Sequence, residues 1–129
     1  MSDDRPSKQV TLQNLRNRVM DDLELAASYD KQRQYQEAVP YINVPTEMVC
    51  MWGNDHVAEG WQSWFVLPVF TPDELEAIAR FDVVMESVSG LYPGIMPSLA
   101  ELIGTEAWER LRLTAEESLK VFQRRGRMS

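Results

Sequence analysis

Cysteine and histidine are almost missing from this chain: Cys50 and His56 are the single examples of each. A lone cysteine excludes an internal disulfide and leans toward a reducing compartment. Zinc sites are assembled from several Cys and His ligands, which this composition cannot supply. A metal near His56 would have to draw on Asp55 and Glu59, a carboxylate-rich set better suited to magnesium or manganese, and these acids follow no recognised ligand-loop spacing. No metal or other cofactor is therefore expected. A cysteine nucleophile needs a neighbouring base. Cys50 stands instead in MVCMW, an apolar run in which it reads as a small buried hydrophobe.

Other absences narrow the field further. The chain has no phosphate-binding glycine loop and no GxSxG nucleophile turn. Among its twenty acids nothing singles out a hydrolytic pair, and no enzymatic activity is expected. The opening MSDDRPSKQ lacks the apolar stretch of a secretory signal, and no apolar run approaches the length of a membrane-spanning helix. A cytoplasmic protein without membrane contact is expected. There is no internal repeat and no sustained heptad, so a coiled coil is not expected.

Bases are scarce in the middle of the chain. From Glu47 to Glu86 the acids are Glu47, Asp55, Glu59, Asp73, Glu74, Glu76, Asp82 and Glu86, opposed by Arg80 alone. That segment holds the equivalent of the whole net charge of −7. Glu101 to Ser129 carries five acids and six bases and ends in QRRGRMS. A broad basic surface for nucleic acid is disfavoured. An acidic middle suits a basic protein partner, or serves solubility alone.

What is present is the composition of one globular domain: 129 residues, 44% hydrophobic and 26% charged, enough to bury a core without staples. Leu12, Leu15, Val19, Leu23 and Ala26 recur at helical spacing and predict a first helix over 9–28, with Arg16, Arg18, Asp21 and Asp22 off the stripe. DKQRQYQEA either extends it or forms a separate turn. Pro40 and Pro45 bracket a connector, and PTEMVCMW reads as a short helix that Gly53 can close in the left-handed conformation. Gly60 and Pro68 interrupt the segment from Asn54 to Phe70, where WFVLPVF is β-like. FTPDELEAIARFDVVMESVSG predicts the clearest helix, 72–88. Thr71 and Glu74 form its capping box, Pro72 takes the first position, Phe70 and Leu75 form a hydrophobic staple, and Gly90 ends it. Ser98 opens a short helix that Gly104 breaks. Thr105 caps the last, 105–124, with Trp108, Leu111, Ala115, Leu119 and Phe122 on one face, and Arg124 and Arg125 suit its dipole.

The expected fold is all-α: a single bundle of three main helices, 9–28, 72–88 and 105–124, plus two short ones. The alternative is an α-rich domain with a short strand or hairpin near 61–70. Residues 1–8 and 125–129 are expected to be flexible ends around a 9–124 domain. Trp52, Trp64 and Trp108 are expected in the core, and Trp61, among polar residues, at the surface. The function class that fits is a small acidic protein-binding module, such as an immunity or antitoxin-type inhibitor of a basic, nuclease-like protein. Its expected face combines the 54–61 loop with the 71–86 helix: Asp55, Glu59, Trp61, Asp73, Glu76, Asp82 and Glu86. The alternative is a non-enzymatic structural protein that self-associates, as a homodimer, through the stripe of its first helix.

Overall fold

The computed structural model describes residues 8–53 and 69–127. These form six helices: α1 (Lys8–Ala27), α2 (Tyr29–Ala38), α3 (Val44–Trp52), α4 (Pro72–Leu91), α5 (Leu99–Leu102) and α6 (Glu106–Gln123). The three expected long helices are α1, α4 and α6, and the all-α class holds, with no strand among the described residues. Most of the 61–70 segment, where a strand was the alternative, lies outside them. Val69 and Phe70 form a turn and a bend.

DKQRQYQEA belongs to a helix of its own. Ser28 is extended and its side chain accepts from the Lys31 amide, so α1 stops and α2 starts across a single residue. At α3 the cap is Asn43, which accepts from Thr46, with Pro45 inside the first turn where its missing amide costs nothing. Gly53 does not take the left-handed conformation expected of it. Its φ of −60° and ψ of −43° continue the helical path. Gly90 likewise does not end α4, which runs on to Leu91. Among the described residues the glycines that do take positive φ are Gly94, Gly104 and Gly126, and Gly126 closes α6 by donating to the Phe122 carbonyl at 2.9 Å.

The Thr71 capping box forms in both directions. The Thr71 amide donates to Glu74 Oε1 at 2.9 Å, and the Glu74 amide donates to Thr71 Oγ1 at 3.2 Å. Phe70 is buried, and Leu75 packs, partly buried, against the core.

α6 packs against both α1 and α4. It runs antiparallel to each: Arg16 reaches Gly126 while Tyr29 reaches Glu109, and Glu74 reaches Arg125 while Ser118 donates to the Ala77 carbonyl. α3 covers the other side, where Met48 and Trp52 meet Ala26, Phe81 and Met85 around a small gap. The core runs from Leu15, Val19 and Leu23 through Ile78 and Phe81 to Leu111 and Phe122, each buried. Full burial of a side chain of this size contributes about 1.5–3 kcal/mol. Trp52 sits edge-on to Phe81, with ring centroids 4.6 Å apart and planes at 82°. Trp108 is buried as expected, and Trp64 lies outside the described residues.

Candidate functional site

α4 presents its acids in two directions. At about 100° per residue, Asp73, Glu76 and Arg80 share one side of the helix while Asp82 lies about half a turn away from Asp73. Asp73 and Glu76 therefore line a cleft of about 210 Å³ against α6, with Arg80 and Arg124 on its walls. Asp73 pairs with Arg124 at 3.5 Å, and Glu76 pairs with Arg80. Asp82 faces α3, where its Oδ1 accepts from Trp52 Nε1 at 3.1 Å. Glu86 is exposed. Asp55, Glu59 and Trp61 lie outside the described residues, as does His56. The structure thus does not gather Asp73, Glu76, Asp82 and Glu86 into one patch. Two of them meet arginines in the α4–α6 cleft and a third holds a tryptophan.

Cys50 corrects a second expectation: it is exposed on α3, because positions 44, 48 and 52 take the inward face. Among the described residues no group of three or more His, Cys, Asp and Glu is placed to hold a metal ion. No helix there is long and apolar enough to cross a membrane.

The largest departure concerns Arg16, expected off the apolar stripe. Its side chain is wholly buried, 2.6 Å from Glu74 Oε1. It donates to the carbonyls of Val69 (3.3 Å), Phe122 (3.2 Å) and Gly126 (2.9 Å), and its guanidinium lies 4.8 Å from the centre of the Phe122 ring. Arg125, expected only to suit the helix dipole, binds the same carboxylate at 2.6 Å and the Val69 carbonyl at 2.7 Å. Burial pushes the Glu74 carboxyl up, but hydrogen bonds from Arg125, the Thr71 amide and Arg16 outweigh it and hold the group below its ordinary value. One carboxylate therefore caps α4 and pairs with two arginines, one from α1 and one just beyond the end of α6. Arg127 pairs with Asp21 at 2.7 Å and Glu24 at 2.8 Å, so residues 125–127 are tied to the body of the domain.

The opposite end of the bundle has a different chemistry. Asn43 Nδ2 donates to the Met96 carbonyl at 2.7 Å, and the Met96 amide donates to Thr46 Oγ1 at 3.1 Å. These bonds join the α2–α3 connector and the first turn of α3 to the α4–α5 connector. The two most exposed large apolar side chains of the described residues stand there, Tyr41 at 84% and Ile95 at 79%. Beside them, α2 and α5 enclose a groove made of two adjoining hollows that share Gln36, Pro40, Leu99 and Ala100, one of about 380 Å³ reaching Glu37 and Ile103 and one of about 420 Å³ reaching Tyr41 and Asn43. The sequence signal for this groove is slight: one YINVP connector and one LYPGIMP connector, each carrying a large apolar residue at a turn.

Charge is segregated more widely than the Glu47–Glu86 stretch indicates. From Gln34 to Glu109 there are twelve acids and one base, Arg80. Glu37, Glu86, Glu101 and Glu106 within that span are exposed. No protein-family model matches the chain, and neither a curated protein nor a solved structure matches it.

Proposed function

We propose that this protein is an acidic protein-binding module whose partner is a basic protein, in the manner of an immunity protein or antitoxin that neutralises a nuclease-like toxin. The observation that carries the reading is the base-poor span from Gln34 to Glu109, with Glu37, Glu86, Glu101 and Glu106 at the surface. Like-signed carboxylates steer a cationic partner and raise its rate of encounter. The proposed contact surface moves away from Asp73, Glu76 and Asp82, which already have partners within the domain, and toward these exposed glutamates. Asp55, Glu59 and Trp61 stay in the proposal on the strength of the sequence alone.

Self-association through the first helix is less well supported, since Leu15, Val19, Leu23 and Ala26 of that stripe lie in the domain's own core. The experiment is affinity capture from the native cell, followed by binding measurements on the captured protein at low and high salt. The expected result is a basic partner whose association slows several-fold as salt rises and the charges are screened. The triple variant Glu37→Lys, Glu86→Lys, Glu101→Lys should weaken it by tenfold or more, on the order of 1.4 kcal/mol. A captured partner that binds this variant and the wild type alike, independent of salt, would sink the proposal.

A further inference from the structure

Resting on the protein-binding reading, we infer that the groove between α2 and α5 is the anchor point of that interface, and that it receives the apolar side chains of a cationic amphipathic helix from another protein. The floor is apolar: Pro40, Leu99, Ala100 and Ile103. Its two amide side chains, Gln36 and Asn43, are engaged within the fold, Asn43 with Met96 and Thr46. Gln36 Nε2 donates to the Val39 carbonyl at 3.2 Å and the Ile42 carbonyl at 2.7 Å, and its Oε1 accepts from the Val44 amide at 3.3 Å. The groove therefore suits hydrocarbon, and Tyr41 on its rim adds an aromatic contact that is already in water.

Charge selects the occupant. Glu37 lines the groove and is exposed, and Glu101 follows Ala100 on the exposed side of α5. Arg33, the one base of the lining, already pairs with Asp30 at 3.6 Å. A segment carrying Lys or Arg beside its apolar residues satisfies both features, as amphipathic helices do when they enter a groove. A second copy of this chain is a poorer match. Arg16, Arg80, Arg112, Arg124, Arg125 and Arg127 are already paired with acids of their own chain.

The test uses the full chain and three synthetic helical peptides about five turns long. One has a leucine stripe flanked by lysines, the second replaces lysine by glutamate, and the third replaces leucine by serine. Affinity is read by calorimetry and the footprint by amide chemical shifts. The lysine–leucine peptide should bind, with shifts at Gln36–Tyr41 and Ser98–Ile103, and the other two should bind at least tenfold more weakly. Ala100→Trp, an exposed position, fills the groove and should weaken binding at least tenfold. Glu37→Lys with Glu101→Lys should weaken it at low salt and converge with the wild type at high salt.

Equal binding to Ala100→Trp, equal binding of the glutamate peptide, or no binding of the lysine–leucine peptide each overturns the inference. So does a sedimenting dimer that Ala100→Trp dissociates, which would make the occupant a second copy. A footprint elsewhere on the acidic span overturns the groove but leaves the protein-binding proposal standing. That proposal falls on its own salt and charge-reversal experiment.

Discussion

Arg16 and Glu74 form an ion pair from which solvent is excluded, 2.6 Å apart with side-chain exposures of 0% and 2%. They sit far apart in sequence, on α1 and in the first turn of α4, and Arg125 joins them from beyond the end of α6. Removing one partner of a buried pair leaves the other charge uncompensated, which costs about 3–5 kcal/mol. Glu74→Gln should lower the unfolding free energy by that amount in urea titration followed by circular dichroism. Glu76→Gln, which breaks the exposed pair with Arg80, should change it by less than about 1 kcal/mol. Comparable losses in the two variants would contradict the assignment.

The same carboxylate sets an acid limit. Glu74 titrates below its ordinary value of 4.5 in the folded protein. Its ionised form is therefore favoured by folding, and its contribution is complete above that value and lost as pH falls through the lower folded-state value. Urea midpoints should hold steady on the neutral side and decline on acidification below about 4.5. Glu74→Gln should show a shallower decline over that window. A variant with the wild-type slope would place the acid sensitivity elsewhere.

Gln32 is buried between α1 and α6, and every polar atom of its side chain is engaged. Its amide donates to the Leu25 and Ala26 carbonyls, both at 3.0 Å, and its oxygen accepts from Trp108 Nε1 at 2.9 Å. Gln32→Leu keeps the volume but strands the indole N–H, at a cost of about 1–3 kcal/mol. Thermal unfolding followed by circular dichroism should report the loss. A midpoint equal to wild type would mean that the indole finds another acceptor.

Asp82 and Glu86 are one turn apart on α4, yet they differ in what they support. Asp82→Leu removes the acceptor for Trp52 Nε1 and should cost about 1–3 kcal/mol, whereas Asp82→Asn retains an oxygen and should cost less. Glu86→Lys, at an exposed position, should stay within about 0.5 kcal/mol of wild type. Trp52 emission should shift in Asp82→Leu and stay unchanged in Glu86→Lys.

Much of the fold was legible because its devices are local. The Thr71–Glu74 box, Pro72 and the 3.6-residue rhythm of Leu75, Ile78, Phe81 and Met85 announce α4 within one stretch of chain. Arg16 was not legible, because a base beside an apolar stripe reads as solvated when only one buried face is assumed. α1 is covered from two sides, so Met20 and Leu23, spaced four and seven residues from Arg16, are buried along the same line. Cys50 misled for the converse reason. The run MVCMW is apolar throughout, but α3 buries only one side of it, leaving the thiol outside. The acids of α4 looked like one surface because charge was counted along the chain, whereas the helix turns Asp73 toward α6 and Asp82 toward α3. The α2–α5 groove is made by elements far apart in sequence and joined by Asn43 and Met96, a pairing with no local signature.

The position of α6 has a consequence for synthesis. It leaves the ribosome after α1 and α4, and it is the helix on which both of them pack. Until Trp108, Leu111, Ala115 and Phe122 have emerged, the faces those two helices will bury have no such partner, and the Gly126 carbonyl that receives Arg16 does not yet exist. Nascent chains stalled before α6 should be digested by protease, and resistance should arrive in one step once residues 106–126 have emerged. A chain ending just short of Arg125 would lose a cation of Glu74, an acceptor of Arg16 and the closing glycine of α6 together.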